Sequence, residues 1–151
     1  MARLLQRVVV LGAGTMGARL AAHCANHGLQ VQLLDVDRAR ADAGLQAACT
    51  SRPAAFFVPE LARLIQTGSF AEVGTHVAKA DWVVEAIVED LTAKRQLLGE
   101  ISARLAPDAL LSTNTSGLPV EAVGEGLPAS VRKRWLGTHF FNPPRYMRLV
   151  E

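Results

Sequence analysis

Apolar residues in this chain gather in short strand-like runs, and stretches of helical spacing stand between them. Val8–Leu11, Val31–Leu34, Trp82–Ala86 and Ala109–Leu111 read as strands buried on both faces, with one more around Trp135–Gly137. Met16–His27 has helical spacing. Its small residues Gly17, Ala21 and Ala25 recur at every fourth position, a face that can lie close against a sheet, and Gly28 follows as a C-terminal cap. From Arg38 to about Cys49 the chain predicts an alanine-rich helix, which Ser51-Arg52-Pro53 breaks. Leu61–Gln66 resumes a helical stripe that Gly68 ends, so the middle of the chain is expected to hold a pair of helices inserted between two halves of a sheet. Leu91–Leu105 predicts an amphipathic helix with Leu91, Leu98, Ile101 and Leu105 on one face and Asp90 as its N-cap. A short helix is expected around Val120–Val123, and Met147–Glu151 reads as the start of an apolar strand, as if the chain were cut from something longer. Strands alternating with helices predict an α/β domain with a parallel sheet covered on both faces.

Composition narrows the function classes. With 151 residues, half of them apolar and a fifth charged, the chain suits one globular domain spanning 1–151. Sixteen basic against fourteen acidic residues leave a net charge of +2, too balanced to indicate nucleic acid or a membrane surface as partner. Arg132-Lys133-Arg134, Arg145 and Arg148 are accordingly expected to be solvated surface charges. Cys24 and Cys49 have no metal-binding spacing and are expected to be reduced, buried thiols, with no metal site. No apolar run reaches the ~18–20 residues that span a bilayer. Met1–Arg7 resembles a short basic targeting segment, but the first strand begins almost at once and leaves no room for a removable leader. A cytoplasmic protein is expected.

Two segments carry chemistry. Gly12-Ala13-Gly14-Thr15-Met16-Gly17 directly follows the first strand and opens the first helix. Gly12 permits the tight turn, Gly14 lets backbone approach a pyrophosphate, and Gly17 lets helix and strand pack closely. The pyrophosphate would rest on unpaired N–H groups at the helix N-terminus. Asp35 ends the second strand at roughly the 20-residue interval expected for an acid that binds ribose hydroxyls. Its charge would repel a 2′-phosphate, which favours NAD over NADP, although Arg38 and Arg40 could offset that repulsion. Asp37 reads as a helix N-cap. Lys94 interrupts the apolar face of its helix and has two readings. It is either a snorkelling lysine or a first-turn cation aimed, with Glu89, at the carboxyl edge of the sheet, where ligands of such sheets bind.

The second segment is Thr138-His139-Phe140-Phe141-Asn142-Pro143-Pro144, with Glu151 across the proline loop from the histidine. Ser112-Thr113-Asn114-Thr115-Ser116-Gly117 follows another strand. Taken alone it is a polar turn with Ser116 capping the next helix; taken with His139 it offers hydroxyls and an amide at the same sheet edge.

These residues carry a resemblance. Gly12–Gly17, Val84–Leu91, Ser112–Ser116 and His139–Pro143, in this order and separation, resemble the NAD-binding domain of the L-3-hydroxyacyl-CoA dehydrogenases over essentially the whole chain. The resemblance implies a Rossmann-type, doubly wound, mostly parallel sheet with helices on both faces. It implies oxidation of a 3-hydroxyacyl-CoA to the 3-ketoacyl-CoA with reduction of NAD⁺, a step of fatty-acid β-oxidation. It makes His139 the base, Glu151 its paired acid, Ser116 and Asn142 contacts to substrate and nicotinamide, and Glu89, Lys94 and Asn114 contacts to the cofactor. Neutral His139 would take the hydroxyl proton, Glu151 would fix its tautomer, and Ser116 and Asn142 could donate to the oxygen on which charge develops. Gly117, the run Asn142–Tyr146 and the stretch Arg52–Phe57 depart from the commoner pattern and look more like bacterial multifunctional proteins carrying a fused enoyl-CoA hydratase. The family's helical second domain, which supplies dimer contacts and closes over the acyl-CoA, is not in these residues, so the fragment alone is expected to bind NAD(H) and turn over poorly. Two other readings stay open: another β-hydroxyacid dehydrogenase, and a non-catalytic, crystallin-like NAD-binding module.

Overall fold

A computed structural model describes residues 4–151; Met1–Arg3, which begin the targeting-like segment, lie outside the described residues. Six strands form one sheet: β1 Arg7–Leu11, β2 Gln30–Asp35, β3 Ile65–Ser69, β4 Trp82–Glu85, β5 Leu110–Thr113 and β6 Trp135–Gly137. Their order is β3-β2-β1-β4-β5-β6, and every pairing is parallel. The chain starts in the middle, winds outward to one edge, then returns to wind to the other. That reversal between β1 and β4 opens a crevice at the carboxyl ends of the strands.

Alternation along β1 shows how the sheet is covered. Val8 and Val10 face a core built with α1 (Thr15–Asn26) and α2 (Arg38–Cys49), whereas Val9 and Leu11 face one built with α3 (Val73–Val77) and α4 (Leu91–Ser102). Each such side chain, fully buried, contributes about 1.5–3 kcal/mol. Val123 of α5 (Val120–Val123) and Val131 of α6 (Ala129–Arg132) complete the second layer. The small face of α1 does what its spacing predicts: Gly17, Ala21 and Ala25 are all buried. Gly28 follows the helix at φ +80°, and Asp37 and Asp90 cap α2 and α4 through the N–H groups of Arg40 and Ala93.

Of the pair of helices expected in the middle of the chain, the first forms as α2 and the second does not. Leu61 and Leu64 belong to a 3₁₀ turn, Pro59–Leu64, and the chain then enters β3, which pairs with β2 from Val31–Ile65 to Asp35–Ser69. The apolar spacing of Leu61–Gln66 comes from a turn joined to an edge strand. Met147–Glu151 is likewise no full strand but makes a single antiparallel bridge, Phe140 to Val150. Cys24 is buried, and burial pushes its thiol up to about 12; Cys49 is exposed, contrary to expectation. Arg134 donates to the carbonyls of Ala106 and Ala109, and Arg132 to that of Gly124, so two of the three residues in the basic cluster tie backbone together. Arg145 is no free surface charge either. Its Nη1 donates to Ala54 O at 2.9 Å and Phe56 O at 2.6 Å, between the rings of Phe57 and Tyr146. The two segments that depart from the family pattern thus pack on each other. No helix among the described residues is long and apolar enough to cross a membrane.

Candidate active site

The glycine turn sits at the crevice. Gly12 has φ +101°, and a Cβ there would lie 2.5 Å from Ala86 O; a Cβ on Gly17 would lie 1.8 Å from Gly12 O. Both glycines are imposed by packing. Gly14 differs, because a Cβ there would meet nothing within 4 Å: its backbone borders open space. Gly14 also caps α1 without a side-chain hydrogen bond, and no acid occupies the first turn. This end of α1 therefore presents backbone donors and the positive end of the helix dipole, which suits an anion. Asp35 braces the turn, its Oδ2 accepting from Ala13 N–H at 2.7 Å and its Oδ1 from Val36 N–H at 2.7 Å. A carboxylate accepts more than two hydrogen bonds, so Asp35 keeps capacity toward the cavity it lines. That cavity, about 590 Å³, also touches Gly12, Gly14, Thr15, Met16 and Arg40.

Met16, Ala86 and Ile87 line both this cavity and a second of about 310 Å³, in which Glu89, Lys94, Asn114, Ser116, His139 and Asn142 meet. Of the predicted residues on the catalytic side, only Glu151 lies off its wall, behind His139. Backbone bonds fix this pair, His139 N–H to Glu151 O at 2.8 Å and Glu151 N–H to His139 O at 3.1 Å. His139 Nδ1 stands 3.4 Å from Glu151 Oε2, so the other ring nitrogen, Nε2, is the one left for chemistry. Thr138 anchors the segment to β5: its N–H donates to Thr113 O, and its hydroxyl lies 2.9 Å from Ser112 Oγ. Phe140 N–H donates to Asn114 Oδ1 at 2.9 Å, which leaves the Asn114 NH₂ as that side chain's donor. The Phe140 ring lies against His23 and Trp82. Burial first, and then neighbouring His27, keeps the pKa of His23 below its ordinary value.

Lys94 does not snorkel to solvent; with Glu89 it lines the second cavity, at the carboxyl edge of the sheet, and two carboxylates hold it there. It is 1% exposed, and its Nζ lies 2.6 Å from Glu85 Oε1 and 3.2 Å from Glu89 Oε2. Glu85, fully buried, also accepts from Thr113 Oγ1 at 2.6 Å and Ile87 N–H at 2.7 Å. Glu85 was not singled out from the sequence, although an acid inside an otherwise apolar strand is itself a signal that a partner must exist. Glu89 accepts from Ser116 N–H at 3.1 Å and Gly117 N–H at 2.9 Å, and from the Thr115 hydroxyl. Burial alone would raise the Glu89 carboxyl, but the bonds from Thr115, Gly117 and Lys94 outweigh it and push the group down to about 2. Ser116 does not cap the next helix. Pro119 holds that position, and Thr115 Oγ1 accepts from Leu118 N–H instead, so Ser116 is left on the cavity wall. Asn142 Oδ1 accepts from Arg19 Nη1 at 2.6 Å, another contact with no sequence signal.

The two cavities share a wall and form one crevice, with open space beside the Gly14 backbone, an acid at the β2 end and a histidine–glutamate pair at the far side. Residues 7–151 match the family model described as "3-hydroxyacyl-CoA dehydrogenase, NAD binding domain". The chain belongs to that family. It is 41% identical to a probable 3-hydroxyacyl-CoA dehydrogenase of Deinococcus radiodurans, over 97% of this chain and 44% of that protein. It is 36% identical to a putative fatty acid oxidation complex trifunctional enzyme of Rickettsia felis, over 97% of this chain and 21% of that one. The crystal structure of 3-hydroxybutyryl-CoA dehydrogenase from Escherichia coli K12 superposes with a TM-score of 0.82 at 33% identity, covering 98% of this chain and 32% of that one. The chain thus spans less than half the length of these relatives. The family places NAD in this domain, and the open backbone at Gly14, the uncapped α1 N-terminus and Asp35 fit it.

Proposed function

We propose that this domain serves a cytoplasmic enzyme that oxidises (3S)-3-hydroxyacyl-CoA to 3-ketoacyl-CoA in fatty-acid β-oxidation. The observation that carries this reading is His139, backed by Glu151 and facing the same cavity as Ser116, Asn114 and Asn142. Gly12, Gly14, Thr15, Met16 and Gly17 would hold the cofactor pyrophosphate, and Asp35 its adenosine ribose. Glu89, Lys94 and Asn114 would border the nicotinamide half. Bound NAD⁺ supplies the acceptor for the hydride that leaves carbon 3 of the substrate. His139 Nε2 takes the proton of the 3-hydroxyl, so that the O–H electron pair closes the carbonyl. Glu151, next to Nδ1, holds the tautomer in which Nε2 is the acceptor, and it stabilises the imidazolium that follows. The Ser116 hydroxyl and the Asn142 NH₂ donate to the oxygen as charge develops on it. The acyl pocket and the oligomer contacts lie outside the described domain.

His139→Gln in the intact enzyme tests this. Turnover of 3-hydroxybutyryl-CoA should fall by about 100-fold or more, the usual contribution of a general base, while NADH affinity stays within about two-fold. Unchanged turnover would contradict the assignment of His139 as the base, whereas a wild-type intact protein that binds NADH and turns over no 3-hydroxyacyl-CoA would leave the non-catalytic module as the better reading.

A further inference from the structure

Asn142 lies exposed on the loop after His139, between Phe141 and two prolines, and a side-chain amide in such a place can turn either edge toward the crevice. The two edges do opposite things. An NH₂ group donates to a developing oxyanion, whereas a carbonyl oxygen repels it. Arg19 settles the choice. A guanidinium has five donors and no acceptor, so the amide edge it meets must be the carbonyl. Its Nη1 lies 2.6 Å from Asn142 Oδ1, a charge-assisted hydrogen bond that joins side chains 123 residues apart in the chain.

We propose that Arg19 is a positioning residue of the dehydrogenase, holding Asn142 by its carbonyl so that its NH₂ is presented to the reacting oxygen. Arg19 is half-buried on α1, one turn past the glycine loop, and it borders a small cavity of about 160 Å³ beside Gly14 and Thr15. It therefore ties the helix that carries the cofactor loop to the loop that carries His139. The charge does a second thing. By drawing electron density toward the amide oxygen it makes the amide N–H groups stronger donors, as hydrogen bonds in series do. Arg19 acts through Asn142 and needs no contact with the substrate.

This inference rests on the dehydrogenase reading, and a double-mutant cycle in the intact enzyme separates the two. Arg19→Met should lower kcat about ten-fold, below the 10²–10³ lost when an oxyanion donor is removed outright, with KM for NAD⁺ within about two-fold. Arg19→Lys, which keeps a cationic donor, should recover most of that loss. In an Asn142→Ala background Arg19→Met should cost less than about two-fold, because groups acting as a unit are not additive. Losses of kcat that multiply across the cycle, or no loss at all, would overturn the proposal. So would a rise in KM for NAD⁺ of equal size in both backgrounds, which would make Arg19 a phosphate contact. If the wild-type intact enzyme oxidises no 3-hydroxyacyl-CoA while binding NADH, the dehydrogenase reading itself fails and this role falls with it.

Discussion

A lysine with 1% of its surface exposed is tolerable only because two carboxylates meet it. Glu85 is the nearer and the more dependent, since it is fully buried and its partners among the described residues are Lys94, Thr113 and Ile87. Lys94→Met would keep the length of the side chain and strand the Glu85 charge in the core. Removing one partner of a buried pair costs about 3–5 kcal/mol, so the urea midpoint should fall accordingly, and Glu85→Gln added to Lys94→Met should restore part of it. A Lys94→Met protein within about 1 kcal/mol of wild type would show that Glu85 is not held by this pair. The sequence marks Lys94 as anomalous, because a cation stands on an apolar helix face. It cannot name Glu85 as the reason. Strand and helix positions meet only once β4 and α4 are packed side by side.

At the scale of elements, the turn after β5 is held by Glu89 from another connection, not by a cap on the following helix. A carboxylate pushed down to about 2 when folded stabilises the fold fully above its ordinary value of 4.5, and that contribution is lost as pH falls from there toward 2. The difference in urea stability between wild type and Glu89→Gln should be flat above about pH 5 and shrink as pH drops below 4.5. A difference that stays constant through this range would contradict the Glu89 anchor. The strands that carry short apolar runs, β1, β2, β4 and β5, were legible in the sequence because side chains on both their faces are buried. The edge strand β3 was not. Its Gln66-Thr67-Gly68-Ser69 is polar, since one edge and part of one face meet water, and the preceding Leu61 and Leu64 mimic a helical stripe from within a 3₁₀ turn. Ser116, His139 and Asn142 were legible because they stand in short local motifs. The Arg19 contact to Asn142 and the Arg145 contacts to Ala54 and Phe56 join distant segments, and nothing local announces them.

At the scale of the molecule, the reversal of strand order between β1 and β4 sets a glycine turn and a histidine loop at opposite ends of one crevice, joined by Met16, Ala86 and Ile87. The central claim is that a single cofactor spans that crevice, with its pyrophosphate at Gly14 and its nicotinamide beside His139. Titration of the ¹⁵N-labelled chain with NADH, followed by amide and His139 ring resonances, tests it most directly. One binding event should move Gly14–Gly17, Val36 and His139–Phe141 together and saturate them at a single ratio. Shifts confined to the glycine turn, with His139 and its neighbours unmoved at saturation, would contradict it.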